Sequence, residues 1–373
     1  MSPVSAVRHR GLLLPSCLME ECTAMPSKGR PLRVLAKPAF ANRQKNPYNA
    51  LFYQAFQRRG VLVADFSISR LLQWRSDIVH IHWPDIRIAR KSLLASGNNC
   101  LRYVAYLLCA RLWGAKIIWT VHNTVPHDNP HPRLARSYLS LIARLTAGTI
   151  HLSRHGRDQA IQFYPVLQGK PSALARHGHY RGCYPDDRDR AQSRQLLGIE
   201  PEDQSILFLG MVKAYKNVDQ LVSAFVSLAY EKKQLVIAGG GAIPGSEMWK
   251  QVPHVRFDNH FIPDDQLQTY YRSADLCVLP FRAVTNSGSA LCSLSFDCPV
   301  LLPNIPVFRS LRQSVGPEWV FLYDGDLQVE HIRNALRERP PQAAICDLSQ
   351  LDWERCTADV PRLFAAVTSR HYR

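Results

Sequence analysis

At 373 residues and 42.3 kDa, with 46% hydrophobic residues, the chain is long enough to bury two domain cores. No apolar run reaches the roughly 20 residues that a bilayer-spanning helix needs, so no segment reads as a membrane span. The net charge of +16 asks for an anionic partner, and ten cysteines without a CxxC pair read as reduced core residues of a cytoplasmic protein, not as zinc ligands or disulfides.

Residues 1–29 read as a disordered extension, or as sequence upstream of a start at Met25. Their short apolar segment contains Pro15 and runs into Glu20-Glu21, which makes a poor signal peptide. Strands and helices then alternate, the mark of an α/β fold with a parallel sheet covered on both faces. The first half offers strands at Leu32–Ala36, Val61–Phe66, Ile78–Ile81, Lys116–Val121, Thr149–Leu152 and Ser172–Ala175, with helices such as Pro47–Arg59, Leu93–Trp113 and Pro132–Leu145 between them. The stretch from Tyr184 to Arg194 is polar and charge-rich with no apolar period, and it reads as a linker. The pattern restarts with strands at Ile206–Leu209, Leu235–Ala238, Val255–Phe257, Leu276–Leu279, Val300–Leu302 and Val320–Leu322. A last helix, about Gln350–Thr368, is placed to cross back onto the first half. The expected division is thus a domain over 30–183, a linker over 184–195, a second domain over 196–346 and a C-terminal helix within 347–373. Two such open sheets put their carboxyl-end loops around one crevice, where ligands of such sheets bind.

Five clusters sit at strand ends. His80-Ile81-His82-Trp83-Pro84-Asp85 alternates so that both histidines share a face. His122-Asn123-Thr124-Val125-Pro126-His127-Asp128 follows the next strand, and His177-Gly178-His179-Tyr180-Arg181 closes the first half. In the second half, the loop from Gly210 to Asn217 carries Lys213 and Lys216 into a helix, which suits a diphosphate. The run from Val278 to Gly288 passes from an apolar strand through a loop with Asn286, Ser287 and Gly288 into an apolar helix; the first turn of that helix presents unpaired N–H groups and a positive dipole end to an anion. Each cluster has a plainer reading. Strand-end histidines often only pack or cap, Asp85 and Asp128 can cap helices, the two lysines can be solvated, and Gly239-Gly240-Gly241 can supply only a turn. No helical His-x-x-x-His spacing supports a metal site, and Asp187-Arg188-Asp189 follows no strand. No zinc-finger or RNA-recognition signature supports nucleic acid.

The clusters, together with Val315-Gly316-Pro317, Trp319 to Tyr323 and Asp347-Leu348-Ser349-Gln350, occur in one order from about Pro31 to Trp353. In this the chain resembles the GT-B glycosyltransferases, in particular glycosyltransferase family 94, the β-1,4-mannosyltransferases of xanthan-like exopolysaccharide assembly. The resemblance implies two Rossmann-like domains facing a cleft. It also implies transfer of mannose from GDP-mannose, with inversion, to a polyprenyl-diphosphate-linked oligosaccharide at the inner face of the cytoplasmic membrane. Retaining GT-B enzymes of the family-4 type carry Glu-x7-Glu around the helix after Val278. Here those positions fall near Val284 or Thr285 and at Cys292, and neither is a carboxylate.

An inverting displacement needs one base and a neutralised leaving diphosphate. On this reading Asp128 is the base, Asp85 competes for that role, and His122 or His127 orients it. Gly210, Lys213, Lys216, Asn286, Ser287, Gly288, His179 and Tyr180 hold the donor. His82, Trp83 and Asn123 hold the acceptor. No metal or other cofactor is expected. The helix Leu93–Trp113, with Arg102 and Arg111 beside Tyr103, Tyr106 and Trp113, is a candidate for contact with an anionic membrane surface. Alternatives that stay open are a GT-B enzyme using a UDP donor (glucosyl or glucuronosyl), a non-catalytic GT-B assembly partner, and a non-catalytic basic binding protein.

Overall fold

The computed structural model describes residues 30–44, 46–88, 91–124, 130–241, 243–282 and 288–368. Of the residues singled out above, Val125–Asn129 (with His127 and Asp128) and Ala283–Ser287 (with Asn286 and Ser287) lie outside that set.

Among the described residues, short runs of aliphatic and β-branched residues form twelve parallel strands, six to a sheet. The first sheet holds β1 (Arg33–Lys37), β2 (Leu62–Asp65), β3 (Ile78–His82), β4 (Lys116–Val121), β5 (Gly148–His151) and β6 (Ser172–Leu174) in the order β2-β1-β3-β4-β5-β6. The second holds β7 (Gln204–Leu209), β8 (Lys233–Ala238), β9 (Val255–Asp258), β10 (Leu276–Val278), β11 (Val300–Pro303) and β12 (Val320–Tyr323) in the order β12-β11-β10-β7-β8-β9. All pairings are parallel, so each connection crosses over a face and both faces are covered by helices. The central strands are accordingly buried on both sides; β3 has no exposed position despite carrying two histidines.

Strand order locates the crevices. It reverses between β1 and β3 in the first sheet and between β7 and β10 in the second, and loops at such switch points diverge to leave room for a ligand. Residues Pro31–Arg373 form one compact unit. The stretch expected as a linker carries a helix, Arg190–Leu197, whose start is fixed by a capping box between Asp189 and Gln192. Arg190 and Arg194 pair at 2.8 Å with the buried Asp275, which ties this helix to the foot of β10. Asp189 is therefore a helix cap.

The C-terminal segment crosses back, but not as one helix. A 3-10 turn (Ser349–Leu351), a short helix (Trp353–Cys356) and a longer one (Val360–Thr368) follow each other, the last beginning beside Pro361, which has no N–H to continue an earlier helix. Leu363, Phe364 and Val367 join the first sheet's core with Phe56 and Ile150. Trp353 lies so close to Gly178 that a Cβ there would come within 2.5 Å of the indole, and its Nε1–H donates to the His179 carbonyl at 2.8 Å.

Candidate active site between the sheets

The second sheet contributes a cationic, glycine-lined half. Gly239 and Gly241 follow β8 at φ +135° and +131°, and a Cβ at either would come within 2.3 Å of the Gly210 or Val212 carbonyl oxygen. These glycines are needed for close approach of two backbones, which is more than a turn requires. They hold the loop after β7 against the loop after β8, with Val212 N–H donating to the Gly240 carbonyl at 3.1 Å. That loop carries Lys213 and Lys216 toward β10. The Lys216 ammonium lies 3.8 Å above the ring centroid of Phe281, just past β10, and Arg282 N–H donates to the Tyr215 carbonyl at 3.0 Å. Burial, with Lys213 nearby, lowers the Lys216 pKa to about 8. The lysine loop and the approach to the helix Gly288–Ser295 thus meet at the β7/β10 switch point.

The first sheet contributes a half built from neutral rings. His80 and His82 point from β3 toward the helix Tyr48–Gln57, and Tyr53 reaches between them. Its hydroxyl is 2.7 Å from His80 Nδ1 and 2.7 Å from His82 Nε2. At one end His80 Nε2 is 2.7 Å from Thr120 Oγ1, and at the other His82 Nδ1 is 2.9 Å from His122 Nε2. Tyr53, His80 and Thr120 are wholly buried, and His122 is the most accessible member at 8%. Burial holds all three histidines below the ordinary imidazole range, His80 at about 3, so the chain is uncharged at neutral pH. Trp83 takes a left-handed backbone (φ 44°), strained for an indole, and stacks on His122 with centroids 4.2 Å apart.

The two halves meet at His177. Its ring packs on Tyr48 at 4.7 Å, and a Cβ placed on Gly288 would lie 3.9 Å from its Nε2 and 3.4 Å from the Tyr180 hydroxyl. His177 Nδ1–H donates to the Gly178 carbonyl at 2.8 Å, and burial lowers its pKa to about 4. The Tyr48 ring also contacts His82, Trp83 and His122, and its buried hydroxyl has no hydrogen-bond partner among the described residues. Beside His177 a cavity of about 500 Å³ opens between the sheets, lined by Leu152, Arg154, Arg176, Leu291 and Phe308.

Several expected site residues thus come together: Gly210, Lys213, Lys216, Gly288 and Tyr180 on one side, His82, Trp83 and His122 on the other. Asn123 directly follows His122 at the end of β4. His179 stands apart from them. Its Nε2 is 2.9 Å from Asp352, which commits it to the C-terminal crossover, while its neighbour His177 faces Gly288. Asp85 lies in a 3-10 turn after β3; burial raises the pKa values of Tyr103, Tyr138 and Tyr164, and the charge of Asp85 adds to that. Those tyrosines belong to the cluster on the face opposite the histidine chain. Tyr48 and Tyr53 carry no motif of their own and are marked only as two tyrosines on an apolar helix; Thr120 opens the stretch Thr120-Val121-His122-Asn123 but has no role of its own in the sequence. Among the described residues no group of three or more His, Cys, Asp or Glu is arranged to hold a metal ion.

Residues 203–336 match the family "Glycosyl transferases group 1". Fold and match together define the class: the chain is a glycosyltransferase of GT-B architecture. Over 331 residues it is 27% identical to the GDP-mannose:glycolipid 4-β-D-mannosyltransferase of Xanthomonas campestris pv. campestris, covering 87% of this chain and 89% of that one. Among solved structures it is similar to the catalytic domain of starch synthase IV from Arabidopsis thaliana (TM-score 0.61, 11% identity, 92% of this chain and 100% of that one). It is also similar to sucrose-phosphate synthase from Thermosynechococcus elongatus (TM-score 0.57, 15% identity, 91% and 97%).

Proposed function

We propose that this enzyme transfers mannose from GDP-mannose, with inversion, to a glycolipid whose sugars are carried on a lipid diphosphate. The observation that carries the reading is that the helix Gly288–Ser295 begins against His177 and Tyr180 while the loop that bears Lys213 and Lys216 lies against Ser289 at Gly210 and over Phe281 at Lys216. The mannosyltransferase relative, which aligns along both halves, supports the choice of donor and acceptor.

The donor's diphosphate lies against Lys213, Lys216 and the amide N–H groups that open the helix Gly288–Ser295. Their charge and dipoles offset the charge that develops as the bond to mannose C1 breaks, a role that needs no divalent ion. Bound anion raises the pKa of Lys216, so the lysine is fully charged in the complex. Tyr180, whose hydroxyl lies beside Gly288, orients the donor. Acceptor enters over Trp83, Tyr48 and Asn123. The acceptor hydroxyl attacks C1 from the face opposite the diphosphate and gives its proton to Asp128. Asp85, placed among tyrosines on the other face of the sheet, is the poorer candidate for that base. Cys292 is buried in the helix where the retaining pattern has a carboxylate, which supports inversion.

Acceptor lipid requires access to a membrane. The helix Leu93–Leu112 supports such contact with a face other than the one expected. Tyr103 is buried, and Leu94, Leu101, Leu108 and Leu112 form an exposed stripe, with Arg102 and Arg111 also exposed. An apolar stripe with cationic neighbours fits the headgroup region of an anionic bilayer.

A donor panel with a lipid-linked oligosaccharide acceptor tests the proposal, with EDTA-treated enzyme and NMR of the product anomer. GDP-mannose is expected to be used far better than UDP-glucose or UDP-glucuronate, to give a β-mannoside, and to react equally well in EDTA. Preference for a UDP donor, an α-linked product or loss of activity in EDTA would each overturn the corresponding part.

A further inference from the structure

The hydrogen-bonded chain from Thr120 to His122 has a direction, and the direction fixes what His122 can do. Each internal link joins one donor to one acceptor. Tyr53 has a single hydroxyl proton, and each neutral imidazole has one N–H and one lone pair. The chain therefore has only two senses, and choosing one link chooses all of them.

Thr120 decides. Its hydroxyl is wholly buried, and among the described residues its one hydrogen-bond partner is His80 Nε2. If His80 Nε2–H donated to it, the threonine's own O–H would be left buried without an acceptor, which is costly. With Thr120 donating, His80 Nε2 accepts and His80 Nδ1–H donates to the Tyr53 oxygen. Tyr53 O–H then donates to His82 Nε2, and His82 Nδ1–H donates to His122 Nε2. Every donor is used once, and the proton of His122 is left on Nδ1.

We infer that Thr120, His80, Tyr53 and His82 are positioning residues that lock His122 as its Nδ1–H tautomer, so that His122, with its Nε2 lone pair already taken by His82, has no acceptor nitrogen left to act as the base of the transfer reaction. The role in transfer rests on the proposed function, and the tautomer on the hydrogen-bonded chain alone. It assigns proton abstraction to a carboxylate or another group outside the chain. All three histidines hold the tautomer that is the minor one for the free side chain in water.

Long-range ¹H–¹⁵N correlation spectra of histidine-labelled protein read the tautomers directly, with signals assigned by substituting each histidine in turn. His80, His82 and His122 are expected to be neutral with protonated Nδ1 from pH 6 to 8; a proton on His122 Nε2, or an imidazolium in that range, overturns the inference. Thr120→Val and Tyr53→Phe are expected to move the His122 signals toward a mixture of tautomers, and unchanged signals refute the coupling. Kinetics gives a second reading that the wild-type spectrum does not depend on. Asn can place an amide N–H near the Nδ1 position, so His122→Asn is expected to keep kcat within about tenfold while His122→Ala loses more; as a general base, both variants would fall by about 10²–10⁴-fold. Because the spectra need no substrate, absence of mannosyl transfer would count against the proposed function and leave the tautomer assignment standing.

Discussion

Donor affinity should fall as pH rises through the titration of Lys216. Its ammonium is packed over Phe281 at 3.8 Å and Tyr215 at 5.3 Å, and burial with Lys213 nearby lowers its pKa to about 8. At pH 7 about 90% of free enzyme carries that proton, and at pH 9 about 10%. If only the ammonium form holds diphosphate, the Kd for GDP rises about tenfold between those pH values, or about 1.4 kcal/mol, with one proton taken up on binding at the upper end. The sign for stability is opposite. The folded pKa lies below the unfolded 10.5, so the penalty for holding the charge is fully present below about pH 8. It is relieved between about pH 8 and 10.5, where the nucleotide-free enzyme gains at most about 3 kcal/mol, less in so far as the amine is partly wetted. Calorimetric titration of GDP from pH 7 to 9.5, in buffers of different ionisation heat, measures affinity and proton uptake together. Lys216→Met should bind weakly and without this pH dependence while unfolding at higher urea than wild type at pH 7. A Kd flat across the range, or the same slope in Lys216→Met, would refute the reasoning.

Tyr53→Phe leaves the His80 Nδ1–H and the His82 Nε2 lone pair buried and unpaired, so it should cost about 2–6 kcal/mol in urea unfolding, and a loss under about 1 kcal/mol contradicts the network. Gly239→Ala forces a methyl to within 2.2 Å of the Gly210 carbonyl oxygen at positive φ; it should destabilise by about 1–3 kcal/mol and weaken GDP binding, as thermal shift with and without GDP will report. Asp at both Leu101 and Leu108, exposed at 69% and 45%, should abolish flotation with anionic vesicles and leave the melting temperature unchanged; retained flotation would remove the leucine face from the membrane reading. Trp83→Ala opens water to His122, raising its depressed pKa toward the ordinary imidazole range, so an acid limb absent from the wild type should appear in kcat between about pH 5.5 and 6.5.

Strand positions were legible because apolar β-branched runs bounded by turns have few other readings, and all twelve expected strands form within two residues of their expected ends. The strand-end clusters were legible for the same reason, since placing a strand places its carboxyl end. What lies between strands was not. Tyr53 and His80 are 27 positions apart and His82 and His122 are 40, and nothing local says that a helix face will aim one hydroxyl between two imidazoles. The helix Arg190–Leu197 escaped because its apolar side is short and its buried contact is a charged one, Arg194 with Asp275. On the helix Leu93–Leu112 the aromatic residues suggested an outward face, but Tyr103 turns inward to lie beside Lys37, whose ammonium sits among Phe66, Tyr103 and Tyr106.

On the proposed reaction, with the diphosphate at the second sheet and the acceptor at the first, the opposite electrostatics of the two halves follow from what each faces during transfer. The second sheet meets a departing diphosphate and gains from every positive charge. The first sheet meets a sugar carbon that turns cationic, so histidine there is useful only while it is uncharged. An imidazolium about 5 Å from that carbon, at an effective dielectric of about 20, would oppose the transition state by about 3 kcal/mol, or about two powers of ten in rate. Burying His80, His82, His122 and His177 beneath Tyr48, Trp83 and Trp353 lowers all four pKa values and removes that term. Burial then creates the need for partners, because unpaired ring nitrogens in a dry site are costly. The chain through Tyr53 to Thr120 meets that need with neutral donors alone. Its length is the consequence of keeping hydrogen-bond donors at the cleft without bringing charge there.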